Sequence, residues 1–106
     1  METGVTAVSS EARVTTTLAA RRYLGQLCKH FQHKLPVTVD EQFTAGRIEF
    51  SAGHCELAVG ENENVLIMRG LASTPADLER VQDVIARHLE RFAFRESLSV
   101  IWEKSA

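Results

Sequence analysis

The apolar residues Ala20, Leu24, Leu27, Cys28, Phe31 and Leu35 recur at steps of three and four, the spacing that puts side chains on one face of a helix. This pattern predicts a helix from Leu18 to about Lys34, capped by Thr17 and stopped by Pro36. A second helix opens with Ser73-Thr74-Pro75-Ala76-Asp77, which supplies a hydroxyl cap, a proline whose missing N–H costs nothing, and an acid facing the dipole. Its stripe is Leu78, Val81, Ile85, Leu89 and Phe92. Between and around the helices the period falls to two. Ala12 to Thr15, Val37 to Asp40, Arg47 to Ser51, Cys55 to Val59, Val65 to Arg69 and Leu98 to Glu103 alternate as short strands, punctuated by Gly46, Gly53 and the run from Gly60 to Asn64.

The order β-α-ββββ-α-β fits an α+β fold, a two-layer sandwich in which a mostly antiparallel sheet carries two helices on one face. Alternation assigns Val14, Val37, Val39, Ile48, Phe50, Cys55, Leu57, Val59, Val65, Ile67, Val100 and Trp102 to the covered side. Arg13, Arg47, Glu49, His54, Glu56, Leu66, Met68, Ile101 and Glu103 fall on the open side. At 106 residues the chain has length for one domain. Residues 1–10, small and polar without periodicity, read as a disordered tail ahead of a domain spanning 11–106.

Twelve Lys and Arg against 14 Asp and Glu leave a net charge of −2, which offers no general attraction to nucleic acid or to an anionic membrane surface. The N-terminal stretch lacks a basic region followed by an apolar run, so the expectation is a cytoplasmic protein. Two cysteines, Cys28 and Cys55, read as buried free thiols, with a bridge in an exported protein as the alternative.

The stretch Tyr23-Leu24-Gly25-Gln26-Leu27-Cys28-Lys29-His30-Phe31-Gln32-His33-Lys34 with Pro36-Val37 resembles the bacterial family called domain of unknown function 2218. Gly53-His54-Cys55-Glu56-Leu57 agrees, as does the run from His88 to Leu98 with Trp102, so the resemblance covers about Ala12 to Trp102. It implies a small uncharacterised bacterial domain, often found beside genes for iron and siderophore handling. It also implies an architecture similar to TATA-binding-protein-like folds and phosphohexomutase C-terminal domains. Fold likeness alone carries no function.

His30 and His33, three residues apart on the first helix, lie about 60° apart around it and are spaced to share a metal, given further ligands. The plainer role is a solvated His33, nearly opposite Leu24, and a flank His30 that packs its ring. His88 borders the second helix's stripe. In an antiparallel helix pair it sits far from His30, because both lie in C-terminal halves. Arg95 is placed to meet a carboxylate or an anionic ligand. His30, His33 and Arg95 are therefore the candidate ligand-binding residues. Gly25, costly inside a helix, marks a close approach by another group. No phosphate loop, dinucleotide fingerprint, nucleophile elbow or catalytic carboxylate pair is present, and no cofactor is expected.

The expected function is that of an accessory domain binding a small ligand or a partner. The alternative is a metal- or thiol-dependent enzyme built on His30 and His33 or on Cys28 and Cys55. Leu66, Met68 and Ile101, placed together on the open sheet face, predict a homodimer interface with a charged rim. The alternatives are that the N-terminal tail or a loop covers the patch, or that a bulge turns these side chains to the core and Val65 and Ile67 outward.

Overall fold

The computed structural model describes residues 7–104. Strand β1 (Val8–Thr15) leads to helix α1 (Ala20–Phe31). Strands β2 (Val37–Val39), β3 (Ala45–Glu49), β4 (Gly53–Val59) and β5 (Val65–Ala72) follow, then helix α2 (Pro75–Phe92) and a short β6 (Glu103–Lys104). The six strands form one sheet in the order β2-β3-β4-β5-β1-β6, antiparallel at every pair. This is the expected two-layer α+β sandwich. Both helices bury their stripes in one core with Ala12, Val14, Ile48, Cys55, Leu57, Leu66 and Met68.

The α2 start forms as its sequence dictates, with the Asp77 N–H donating to Thr74 Oγ1 at 3.1 Å and Pro75 in the first turn. The α1 start does not. Thr17 is not its cap; the helix begins at Ala20 behind Ala19, with no side-chain cap. Residues 16–18 are instead held by Asn64, whose side-chain amide donates to the carbonyls of Thr16 and Thr17 at 2.9 Å. The Ala20 N–H, orphaned at a helix start, donates to Glu63 O at 2.7 Å. At the other end α1 stops at Phe31, three residues short of Lys34, where a turn carries the Leu35 N–H back to Phe31 O.

Strand β1 begins at Val8, within the stretch assigned to the tail, because β5 runs on to Ala72 and its last residues pair with Val8, Ser9 and Ser10. Ser10 is buried, and its hydroxyl accepts from Gln82 Nε2 of α2 at 2.5 Å. Residues 1–6 of the expected tail lie outside the described residues. The last strand is shorter than its alternation predicts. Leu98, Val100 and Trp102 turn half-buried toward the core without strand pairing, and only Glu103 and Lys104 join β1.

The largest correction concerns β5. Leu66 and Met68 are 0% exposed and face the helices, whereas Val65 and Ile67 face away. Cross-strand partners share a face, so register decides what alternation could not: Met68 sits opposite Ala12 and Leu57, and Leu66 opposite Val14 and Val59. The expected patch of Leu66, Met68 and Ile101 is therefore not assembled, because Ile101 is exposed on the unpaired C-terminal segment.

Gly25 owes its place to Phe43. A Cβ there would lie 3.2 Å from the Phe43 ring, which packs onto the helix backbone from the β2–β3 turn. Phe43 itself adopts φ 58°, a left-handed conformation that bulky side chains avoid. Asp40 braces this turn by accepting from the Thr44 and Ala45 N–H groups at 2.7 and 3.0 Å and from the Thr44 hydroxyl.

Candidate functional site at the helix seam

The C-terminal turn of α1 brings His30 and Phe31 to the seam with α2, where His88 and Phe92 come from one face four residues apart. The His30 and His88 ring centroids are 4.8 Å apart. Phe31 packs against His88 at 4.7 Å and against Phe50 of the β3–β4 turn at 5.4 Å, while Phe92 closes on His30 at 5.6 Å. The five rings form one aromatic cluster.

The separation expected between His30 and His88 is thus overturned. The helices keep an antiparallel sense, since Tyr23 in the first turn of α1 donates to Glu96 just beyond α2. They are staggered, however: α2 has 18 residues against 12 in α1, and its first turns extend past the end of α1. His30 consequently meets the C-terminal half of α2 rather than its start.

His88 Nδ1 lies 2.7 Å from Val84 O. A carbonyl only accepts, so Nδ1 carries the proton and Nε2 remains for another partner. The His30 pKa is held below its ordinary value first by partial burial of the ring, then by the like charges of His88, Lys34, His33 and Arg91. These neighbours disfavour the protonated ring, and an anion placed against the His30–His88 pair offsets them.

Beside the cluster lies a recess of about 340 Å³ walled by Leu35, Phe50, Ala52, Val81 and Val84 and rimmed by Arg80 and Asp83, a size within the range of small-molecule sites. Phe50 belongs to both recess and cluster. Asp83 is engaged by Arg87 at 3.1 Å. A separate, shallow groove of about 620 Å³ between α2 and the C-terminal segment has Gln82, Ala86, Val100 and Trp102 among its walls.

Of the three residues expected to bind ligand, only His30, itself exposed, joins a built cluster. His33 is exposed beyond the end of α1, and Arg95 is exposed with its guanidinium 5.5 Å from the Phe94 ring, away from the seam. Among the described residues no three His, Cys, Asp or Glu side chains converge to hold a metal. Sequence reasoning singled out His88 but placed it apart from His30, and missed Phe50 as a wall; no local signal shows the stagger that unites them. It also overlooked Glu96, which accepts from the Thr17 N–H at 2.8 Å and from the Tyr23 hydroxyl. These bonds hold the Glu96 pKa down, while burial and then the Glu96 bond push Tyr23 up to about 12.

Cys28 and Cys55 are both free and 0% exposed, as expected of inert thiols. Burial is the main cause that raises their pKa values, to about 11 and about 12 respectively. Neither offers an accessible thiolate near neutral pH. No helix among the described residues is long and apolar enough to cross a membrane.

The family described as "Uncharacterized protein conserved in bacteria (DUF2218)" matches residues 11–103. The chain is also similar to the protein PA4090 from Pseudomonas aeruginosa, whose structure was determined by NMR. The two share 33% sequence identity and a TM-score of 0.74, over 91% of this chain and 95% of that one. No curated protein matches the sequence.

Proposed function

We propose that this chain, which belongs to the DUF2218 family of bacterial proteins, is a binding domain whose ligand is a small anion with an apolar body. The observation that carries this reading is the apolar recess at Leu35, Phe50 and Val84, whose Phe50 ring packs on Phe31 and through it on the His30–His88 pair. Apolar walls exclude water from the ligand body, and Arg80 on the rim together with the His30–His88 imidazoles meets its charge. Low desolvation cost favours a delocalised carboxylate or phenolate over a compact, strongly hydrated ion.

The link to iron and siderophore handling implied by the family resemblance selects the first probe. An aromatic catechol acid such as 2,3-dihydroxybenzoate joins an anionic head to a flat apolar ring, the combination that the recess and the imidazoles favour. The metal- or thiol-dependent enzyme reading draws less support, because the thiols are buried with raised pKa values. Isothermal titration of 2,3-dihydroxybenzoate into untagged protein tests the proposal. Saturable binding that is lost in both Phe50→Ala and His88→Ala, with both variants folded, is the expected result. Absence of saturation at millimolar ligand, or binding unchanged in both variants, refutes this ligand class at this site.

A further inference from the structure

The sheet face turned away from the helices carries an ordered row of charge. Arg47 on β3 lies opposite Glu56 on β4, Glu56 opposite Arg69 on β5, and Arg69 opposite Glu11 on β1. Read across the four central strands, the signs run plus, minus, plus, minus. The row beside it reads Ala45, Ala58, Ile67, Arg13. Among the described residues no helix covers this face: the buried stripes of both helices lie in the core on the other side. Within the protomer the pairs along the row are loose, with Arg47 to Glu56 at 4.0 Å and Arg69 to Glu56 at 3.9 Å, all partly exposed, while Arg47 also holds Glu49 on its own strand at 2.5 Å and Arg13 lies 3.8 Å from Glu11.

We propose that this face binds a second copy of the chain, about a two-fold axis parallel to the strands that passes between β4 and β5. Such an axis reverses strand order and keeps position along the strand. Glu56 then faces the partner's Arg69, Arg47 faces the partner's Glu11, and the small Ala58 faces the larger Ile67 of the partner subunit. Every cation of the row meets an anion. An axis perpendicular to the strands brings each charge onto its own copy, and an axis through β4 or β5 sets like charges opposite each other. The charge order therefore selects one arrangement, the aligned face-to-face packing of a β-sandwich, an isologous contact whose polar groups fix its register.

The contact is small. Four strands about 4.8 Å apart and roughly five residues long at ~3.4 Å each offer some 300 to 400 Å² of sheet plane, against ~800 Å² per partner in a standard interface. The dimer is consequently weak, dependent on concentration and loosened by salt. It uses the side of the sheet opposite the helix seam, so it stands or falls independently of the ligand site.

Sedimentation velocity of the wild-type chain from micromolar to near-millimolar concentration is the first test, and a shift toward dimer that high salt reverses is expected. A wild-type chain that stays monomeric throughout overturns the proposal and leaves the face to another occupant. Glu56→Arg and Arg69→Glu are the second test. Alone, each sets like charges across the axis and weakens dimerisation about tenfold or more. Mixed in equal amounts, the two variants restore association, because the two cations of one variant meet the two carboxylates of the other. A merely damaged fold does not produce that rescue. Dimerisation unchanged in the single variants, or no rescue on mixing, overturns the arrangement.

Discussion

Replacing Met68 by alanine, with Ile67→Ala as its partner experiment, tests the orientation of β5. Met68 is 0% exposed between Ala12 and Leu57, beneath the helices. Truncation removes three heavy atoms, worth ~2 kcal/mol at ~0.8 kcal/mol per methylene-sized group. If half of the ~70 Å³ vacated stays open, a cavity cost of ~24 cal/mol per Å³ adds ~1 kcal/mol, for a total of ~3 kcal/mol. Ile67 is half-exposed on the other face and leaves no enclosed void, so its truncation costs ~1 kcal/mol or less. For a domain of this size the Met68 variant should melt ~12 to 20 °C lower. Urea melts at low protein concentration, with equal slopes for all three proteins, give the comparison. If Ile67→Ala costs as much as Met68→Ala or more, the orientation of β5 is wrong and the charge row on the opposite face loses its basis. Met68→Glu, which buries a carboxylate in the same place, should unfold the chain rather than merely alter its association.

Tyr23→Phe removes the bond to ionised Glu96 and should cost ~1.5 to 3 kcal/mol in the same assay. Glu96 is held below its ordinary value of 4.5, so its contribution is present above that pH and lost as pH falls through the folded-state pKa; the variant should show a flatter acid limb. Gly46→Ala forces a Cβ to 2.8 Å from Cys28 Sγ and should cost ~1 to 3 kcal/mol. Cys28→Ala in that background should recover part of the loss, and strictly additive effects would contradict the contact. His30 should titrate below 6.5 in NMR and move up toward that value in His88→Ala. Because its folded-state pKa is the lower one, its neutral form contributes stability above 6.5 that is lost as pH falls through the folded pKa.

The sequence pattern carried the element order and the α2 cap because each rests on local chemistry: Thr74, Pro75 and Asp77 need no distant partner to define a helix start. It misplaced what depends on partners far along the chain. Thr17 looked like a cap, but Asn64 and Glu96 hold that segment out of the helix. Val65 to Met68 are apolar at every position, so only pairing with Leu57 and Ala12 settles which side faces inward. His30, His33 and His88 were visible as candidate chemistry, but the stagger that sets His30 on His88 follows from unequal helix lengths and the path after Phe92. Gly25 announced a close neighbour without naming it, because Phe43 reaches it from a turn 18 positions later in the chain.

The ligand site is tested most directly by following the imidazole signals of the four histidines in ¹H–¹⁵N spectra while 2,3-dihydroxybenzoate is added at fixed pH and ionic strength. His30 and His88 are expected to shift together and saturably, with the His30 pKa rising as the bound anion offsets its cationic neighbours. Signals of His30 and His88 that stay fixed, or that drift no more than that of His54 on the opposite sheet face, would contradict this reading.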